Sequence, residues 1–351
     1  MKPRILVAPL NWGLGHATRC MPIIEALITN HFEPVIASDG LALALLRKEY
    51  PELLSFELPS YNITYSKKGK HFKFKLLKQS PKLVRAIKAE KKAIKKIVAA
   101  HKICGIISDN RLGVYSKKVP SVFITHQLNV LSGNTTWLSS KINEKFIKRF
   151  KECWVPDAPG PINLSGKLGH VDSYLVPLKY LGPLSRFNKK ETKITYDVLV
   201  LLSGPEPQRT MLEIKLLKEL IEYPGKIVFI KGIVESEQIK VVTENITIYN
   251  FMTSKELEKT INKSALIIAR SGYTTIMDLA KLNKKAFFIP TPGQFEQEYL
   301  AKRLSDMKRV PSCNQDDFTM SKLKEIEQFN GLEAINEACD FRRLFGLFQS
   351  E

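Results

Sequence analysis

The stretch that most narrows what this chain can fold into runs from Ala269 to Ala301, ARSGYTTIMDLAKLNKKAFFIPTPGQFEQEYLA. It reads as strand end, Ser-Gly turn, helix, strand, Pro-rich turn, helix. Leu266-Ile267-Ile268-Ala269 is a short apolar run, as a parallel strand buried on both faces shows. Ser271 and Gly272 open a helix whose apolar positions, Ile276, Leu279 and Ala280, follow helical spacing. A helix that starts directly after a strand presents free backbone N–H groups and the positive end of its dipole, which suits phosphate. Asp278 lies further along that helix. Its acceptor-only carboxylate repels phosphate but can take hydrogen bonds from a ribose diol. The next strand, Ala286-Phe287-Phe288-Ile289, ends at Pro290. Beyond it lie Gln294, Glu296, Gln297 and Glu298, a polar set suited to sugar hydroxyls. Ligands of open α/β sheets bind at the carboxyl ends of the strands, where this set sits.

The same order of strand, loop and helix opens the chain. Ile5 to Pro9 runs into Asn11-Trp12-Gly13-Leu14-Gly15-His16-Ala17-Thr18-Arg19, then a helix with Ile23, Ile24, Leu27 and Ile28 inward. Gly13 and Gly15 let backbone approach a ligand closely. A dinucleotide fingerprint wants a third glycine where Thr18 stands. Asp39 only roughly meets its acidic position, so NAD binding is disfavoured. His16, a titratable group at a helix start on the strand's carboxyl edge, is placed for proton transfer. The plainer reading makes it a helix-capping histidine. Strands follow at Pro34–Ser38, near Leu53–Leu58, and at Ile103–Ile107 and Val122–Thr125, with a short one from Cys153 to Pro156. Asp109 and His126 stand at the carboxyl ends of two of these, as architectural residues or as alternatives for the base.

Pro156 to Gly182 is rich in Pro and Gly, so the domain boundary is placed just after Gly182-Pro183, giving residues 1–183 and 184–351. Tyr196–Leu202 then restarts the pattern with a strong strand, Ser203-Gly204 and a helix carrying Leu212, Leu216, Leu217 and Leu220. Ile227–Ile230 and Ile246–Tyr249 are further strands, and Thr253 or Ser254 caps the helix after them. A chain of 351 residues, 44% of them hydrophobic, has room for two cores. The expected class is α/β, built as two Rossmann-like halves.

These residues carry a family resemblance. The 266–301 stretch resembles the donor-nucleotide motif of glycosyltransferases with two facing Rossmann-like domains and a cleft between them, the GT-B architecture, and within it the family-28, MurG-like enzymes that use UDP-sugars. The likeness implies that Asp278 binds the ribose and that Gln297 and Glu298 face the donor sugar. Ser203 and Gly204 match the family's loop at the donor phosphates, although Pro205 and Pro207 depart from it. Arg186 is the nearest match to an Arg that contacts the diphosphate, and Arg270 with the helix start at Ser271-Gly272 would also balance its charge. Phe251 and Met252 fall where the family holds the uracil. Gly-x-Gly-His-x-x-Arg resembles the N-terminal loop of these transferases and of UDP-sugar hydrolases with the same fold. The family's His-Glu-x-Asn sequence appears here as His126-Gln127-Leu128-Asn129, so an acid–base role at Gln127 is in doubt and Asn129 remains as a hydrogen-bonding partner. The activity implied is transfer of a hexosyl unit, N-acetylhexosamine first among the candidates, from a UDP-sugar to a hydroxyl, with inversion and with His16 as base. A hydrolase or nucleotide-sugar epimerase of the same fold is the alternative. In this fold the last helix often returns to the first domain, which Phe341–Phe348 could do.

The chain carries 54 Lys and Arg against 35 Asp and Glu, a net charge of +19, which calls for an anionic partner. Fourteen of the basic residues lie between Lys67 and Lys102, where Glu90 is the lone acid. Ser80-Pro81 signals a helix start there, and Val84, Ile87, Ile94, Ile97 and Val98 make one apolar stripe. Lys82, Arg85, Lys88, Lys91, Lys92, Lys95 and Lys96 around it are expected to meet an anionic membrane bearing a lipid-linked or cell-envelope glycan acceptor, with Phe72, Phe74, Leu76 and Leu77 as the apolar contact. The alternative is a solvated lysine-rich face. Nucleic-acid binding is disfavoured, since no DNA or RNA motif is present. No apolar run reaches the ~18 residues of a membrane span, and the expected location is cytoplasmic, peripheral on the membrane's inner face. Five cysteines without paired spacing indicate neither disulfides nor zinc, and the absence of Asp-x-Asp argues for no metal and no cofactor beyond the UDP-sugar substrate.

Overall fold

The computed structural model describes residues 2–61, 72–131, 133, 136–233, 235–335 and 339–349, with the side chains of 72–81 and 138 left aside. The chain divides into two compact units. The first holds the residues up to 61, Lys73–Leu184 and the segment from Ile335; the second holds Ser185–Ala334.

In the first unit the apolar runs form β1 (Arg4–Pro9), β2 (Glu33–Ser38), β3 (Ser55–Glu57), β4 (Ile103–Asp109), β5 (Ser121–Ile124), β6 (Glu152–Val155) and β7 (Leu178–Tyr180). They pair in the order β3-β2-β1-β4-β5-β6-β7, every pair parallel. Parallel strands need crossovers, which α1 (Gly15–Thr29), α2 (Gly40–Glu49), α3 (Phe72–His101) and α4 (Thr136–Ile147) help to supply. Leu6, Ala8, Val35, Ala37 and Ile106 of the sheet pack with Ile94, Ile97 and Val98 of α3. The apolar stripe of α3 is shorter than the sequence suggests, because Val84 is 46% exposed. The helix also begins at Phe72 and carries Pro81 inside it, so Ser80-Pro81 is not its start. The side chains of Phe72, Phe74, Leu76 and Leu77 lie outside the described residues.

The second unit repeats the plan with β8 (Tyr196–Leu201), β9 (Ile227–Ile230), β10 (Lys240–Val242), β11 (Ile246–Tyr249), β12 (Ser264–Ala269) and β13 (Lys285–Phe288), in the order β10-β11-β9-β8-β12-β13. All pairs are parallel except β10 on β11. Its helices are α5 (Gln208–Leu220), α6 (Ser254–Asn262), α7 (Tyr273–Lys281) and α8 (Phe295–Asp306). Val198, Val200, Phe229, Ile268 and Phe287 face Leu212, Leu216 and Leu220 of α5 in its core.

In each sheet two strands distant in sequence lie side by side, β1 with β4 and β8 with β12. The loops leaving these pairs diverge, which opens a crevice at the strands' carboxyl ends. The glycine-containing loops at Gly13-Leu14-Gly15, Ser203-Gly204 and Ser271-Gly272 all leave such strands. The segment from Ile335 carries α9 (Phe341–Phe345) and a further turn to Phe348, and both pack within the first unit. Phe345 meets Phe32 edge-on at 5.7 Å between ring centroids, and Trp154 lies 6.4 Å away. Phe348 crosses β4 so closely that a Cβ on Gly105 would come within 2.3 Å of its ring, so only glycine fits there.

Candidate active site

The switch point of the first sheet holds a buried polar cluster. β4 ends on Asp109, and Asn110 turns the chain in a left-handed conformation. The first turn of α1 places His16 and Arg19 on one face, three residues apart. The Arg19 guanidinium grips Asp109 with Nε at 2.5 Å from Oδ2 and Nη2 on Oδ1. Its Nη1 reaches His126 Nδ1 at 2.9 Å, so that nitrogen is an acceptor. His16 Nδ1 lies 2.8 Å from Asp109 Oδ1 and 2.8 Å from Arg19 Nη2. One nitrogen cannot donate to the first and accept from the second at once. Arg19 already has Asp109 and His126 as acceptors, so the tautomer that satisfies every group carries the proton on Nδ1 and donates it to Asp109. That leaves the lone pair on Nε2, and the His16 side chain keeps 14% exposure while Asp109 has none.

Charge follows geometry. Burial alone would raise the Asp109 carboxyl, but Arg19 and His16 hold it well below the usual carboxylate range. Burial, and then the Arg19 charge, pull His16 below its ordinary value although Asp109 opposes them. His16 is therefore neutral at pH 7, the form a general base needs. Cys20, 3.5 Å from Asp109, is enclosed, and burial and then the carboxylate push its thiol well up, so it is no nucleophile.

The other residues singled out in this unit are placed as follows. Gly13 is exposed with φ +78° and nothing within 4 Å of an added Cβ, so torsion rather than space calls for glycine. Gly15 begins α1, whose N-cap, Leu14, makes no side-chain cap bond. Thr18 is buried and donates its hydroxyl to Gly15 O at 3.1 Å, which ties it to its own helix. Asn129 donates Nδ2 to Lys167 O at 2.7 Å, and its backbone N–H bonds Leu168 O. Asp39 accepts from Arg111 Nη1 at 2.6 Å, so this acid is engaged inside the fold rather than offered to a ribose.

In the second unit Asp278 sits on α7, where Ser185 Oγ donates to its Oδ1 at 2.7 Å. Ser185 is itself fixed by the Phe187 N–H at 3.1 Å. Burial pushes the Asp278 carboxyl up to about 6, against the pull of Arg186 and Ser185. Arg186 thus lies in the field of Asp278, its guanidinium carbon 4.7 Å from the Phe187 ring centroid. Ser185, Arg186 and Asp278 are brought together.

Arg270 is not offered to a ligand in this arrangement. It is 1% exposed, and its guanidinium donates to the carbonyls of Ile289, Pro290 and Gln208 and to Gln315 Oε1. It clamps the end of β13 and the start of α5 to β12. Gln297 is buried, with its Oε1 accepting from Thr291 N at 2.8 Å and its carbonyl from Ser271 Oγ. Glu298 Oε1 accepts from Gly293 N at 2.8 Å, closing the turn after β13. Ser203 and exposed Gly204, φ +106°, form the loop after β8. Beyond that loop Arg209 pairs with Glu206 and Glu213. Phe251 and Met252 lie half-buried between β11 and α6, Phe251 O accepting from Gln238 and Met252 Sδ from Thr260. Gly272 is the N-cap of α7 and supplies no side-chain cap, whereas α6 carries a full capping box from Thr253 and Glu256.

Sequence reading missed Arg19 as the hub of the first cluster. Its signal was the three-residue spacing from His16. It missed Ser185 too, for which only adjacency to Arg186 gave a hint.

Comparison with known proteins agrees with this plan. A two-sheet architecture of this kind is shared with the spinosyn forosaminyltransferase SpnP, at a TM-score of 0.62 and 13% identity over 99% of this chain and 100% of that one. MurG of Acinetobacter baumannii gives a TM-score of 0.54 at 13% identity, over 93% and 90%. The fold is that of the GT-B glycosyltransferases. Residues 208–328 match the glycosyltransferase family 28 C-terminal domain. A UDP-N-acetylglucosamine–N-acetylmuramyl-(pentapeptide) pyrophosphoryl-undecaprenol N-acetylglucosamine transferase of Haemophilus ducreyi is 23% identical over 223 residues, 62% of this chain and 59% of that protein. The chain thus spans about three fifths of the bacterial relatives it matches. An uncharacterized glycosyltransferase of Methanosarcina acetivorans is 25% identical over 98% of this chain and 92% of its own length. Together these make the chain similar to glycosyltransferase family 28 over residues 208–328 and to MurG-like transferases over about three fifths of its length.

Proposed function

We propose that the protein transfers a hexosyl unit from a UDP-sugar to the hydroxyl of a lipid-linked or cell-envelope glycan, with inversion at the anomeric carbon. The observation that carries this reading is the His16–Asp109 pair, an imidazole held neutral with its Nε2 lone pair left for a proton. Nε2 removes the proton of the acceptor hydroxyl as its oxygen attacks the anomeric carbon and the bond to UDP breaks. Asp109, kept ionised by Arg19, fixes the tautomer and stabilises the imidazolium that forms. In the second unit Asp278 takes the ribose diol, while Arg186 and the amides at the start of α7 balance the charge that builds on the diphosphate. No step in this scheme calls for a metal ion or cofactor. N-acetylhexosamine is the donor sugar to try first, because the bacterial relatives are named as N-acetylglucosamine transferases.

The exposed charges of α3, Lys82, Arg85, Lys88, Lys91, Lys92, Lys95 and Lys96, support docking on an anionic membrane that carries the acceptor. Among the described residues no helix is long and apolar enough to cross a membrane. Incubation with UDP-N-acetylglucosamine, with and without lipid extract, tests the reading. Release of UDP that depends on lipid, with sugar appearing in the lipid fraction, is expected. Free sugar released at the same rate without lipid makes the protein a hydrolase instead.

A further inference from the structure

The first unit contains a cavity of about 300 Å³ that no step above uses. Its wall comes from the loop after β5, the first turns of α4 and the segment before β7, contributing Asn129, Trp137, Ser140, Lys141, Glu144 and Tyr174. Trp137 is 73% exposed, a large apolar ring left in water beside polar groups. Those groups are only partly engaged. Asn129 gives its Nδ2 to Lys167 O, and its Oδ1 has no partner among the described residues. Ser140 Oγ accepts from Val130 N and still has its own proton to donate. Glu144 takes Lys141 on Oε2 at 3.3 Å, leaving Oε1. The Tyr174 hydroxyl is enclosed without a hydrogen-bond partner among the described residues.

We infer that this cavity binds a neutral sugar ring of the acceptor. An exposed indole ringed by hydroxyl, amide and carboxylate groups is the chemistry a pyranose needs. The C–H face of the ring covers the electron-rich indole, and its hydroxyls meet the remaining donors and acceptors. Charge selects a neutral ring, because Lys141 and Glu144 cancel each other. The site borders the chemistry through one short loop: Asn129 follows His126, whose Nδ1 faces Arg19, the residue that holds Asp109 against His16. That the bound ring is an acceptor rests on the transferase reading; that it is a sugar does not.

Saturation-transfer NMR on the whole chain separates the two. The probes are methyl N-acetyl-β-glucosaminide, methyl β-galactoside and chitobiose, with 1-octanol as an apolar control. Transfer from aromatic protons to the ring C–H protons of at least one saccharide is expected. Trp137→Ala should weaken that saccharide by about tenfold or more, while Trp137→Phe keeps part of the binding. UDP affinity by calorimetry should be the same in Trp137→Ala and the natural chain, which also reports that the variant is folded. The inference is overturned if no saccharide binds, if binding survives Trp137→Ala unchanged, or if octanol displaces the saccharide and itself depends on Trp137. Saccharide binding through Trp137 in a protein that does not bind UDP would keep the sugar site and remove the transferase reading.

Discussion

Among the described residues two buried arginine–carboxylate clusters lie in the first unit, and only one of them leaves anything for a substrate. In the first, Arg19 grips Asp109, and His16 at its edge retains contact with solvent. In the second, Arg111 sits between Glu90 at 2.5 Å and Asp39 at 2.6 Å and caps its remaining donors with the carbonyls of Pro9 and Pro59. Tyr61 and the Gly113 N–H complete Glu90. Every polar group there has a neighbour of the same chain, and Arg111 and Glu90 are fully enclosed. The ion-pair chemistry is the same in both places. The difference is a titratable side chain at the rim, so a buried ion pair marks a site only where such a group remains.

Breaking the open cluster should give the largest effect. His16→Gln or Asp109→Asn should lower turnover by about 10²–10⁴-fold, with UDP affinity near that of the natural chain. Stopped assays and calorimetry read the two quantities separately. If turnover survives His16→Gln, His126 takes over as the candidate base. The lowered pKa of His16 also fixes a sign: the neutral base is lost only on acidification, so kcat should fall below pH 6.5 rather than at it.

Breaking the closed cluster should cost stability instead of chemistry. Arg111→Met strands Glu90 and Asp39 in the interior and should lower unfolding free energy by about 3–5 kcal/mol, read from urea melts. Molecules still folded should retain their turnover. A turnover loss in excess of the unfolded fraction would erase the distinction between the clusters.

A third carboxylate sharpens the contrast. Asp278 is buried with a serine partner and no arginine fork, and its pKa rises to about 6 where that of Asp109 falls. Asp278→Ala should weaken UDP binding by about 1.5–3 kcal/mol. Because its folded pKa lies above the ordinary value of 3.8, the folded state binds the extra proton between roughly pH 4 and 6. Stability should therefore drop as pH rises through that window, while UDP affinity climbs as the carboxylate forms. Asp278→Asn should flatten both curves, and parallel curves for Asn and Asp would place the titration elsewhere. The smallest effect per residue belongs to the solvated charges of α3. Replacing Lys91, Lys92, Lys95 and Lys96 with Gln should weaken binding to anionic liposomes by about 1 kcal/mol for each lysine. Turnover on soluble acceptors and UDP affinity should not change. Unchanged co-sedimentation across a salt series removes α3 as the docking surface.

These contrasts also explain what was legible in the sequence. Apolar runs that end in Gly, Ser or a polar residue are local signals, and they located β1, β8, β9, β11 and β12 to within about two residues. β7 and β10 were missed because they are three residues long and carry no buried apolar run. His16 was visible by its place in a loop. Its engagement was not, since Arg19 meets Asp109 across 90 residues of sequence. Glu90 was conspicuous as the lone acid of a basic helix, but its partner Arg111 lies 21 residues on, beyond β4, where no local pattern announces the pairing. Arg270 and Gln297 show the opposite error. The family resemblance implied ligand contacts for them, but both turn inward to carbonyls and amides that the strand ends leave unpaired.

The return of α9 to the first unit has a consequence for how the polypeptide is made. On the ribosome the first sheet emerges early, with Phe32 and Trp154 still bare and the groove over Gly105 unfilled. The whole second unit must be synthesised before Phe345 and Phe348 exist to cover them. The early half of the protein is thus the last to be finished, and lesions near residue 345 should surface as defects of a sheet built hundreds of codons upstream.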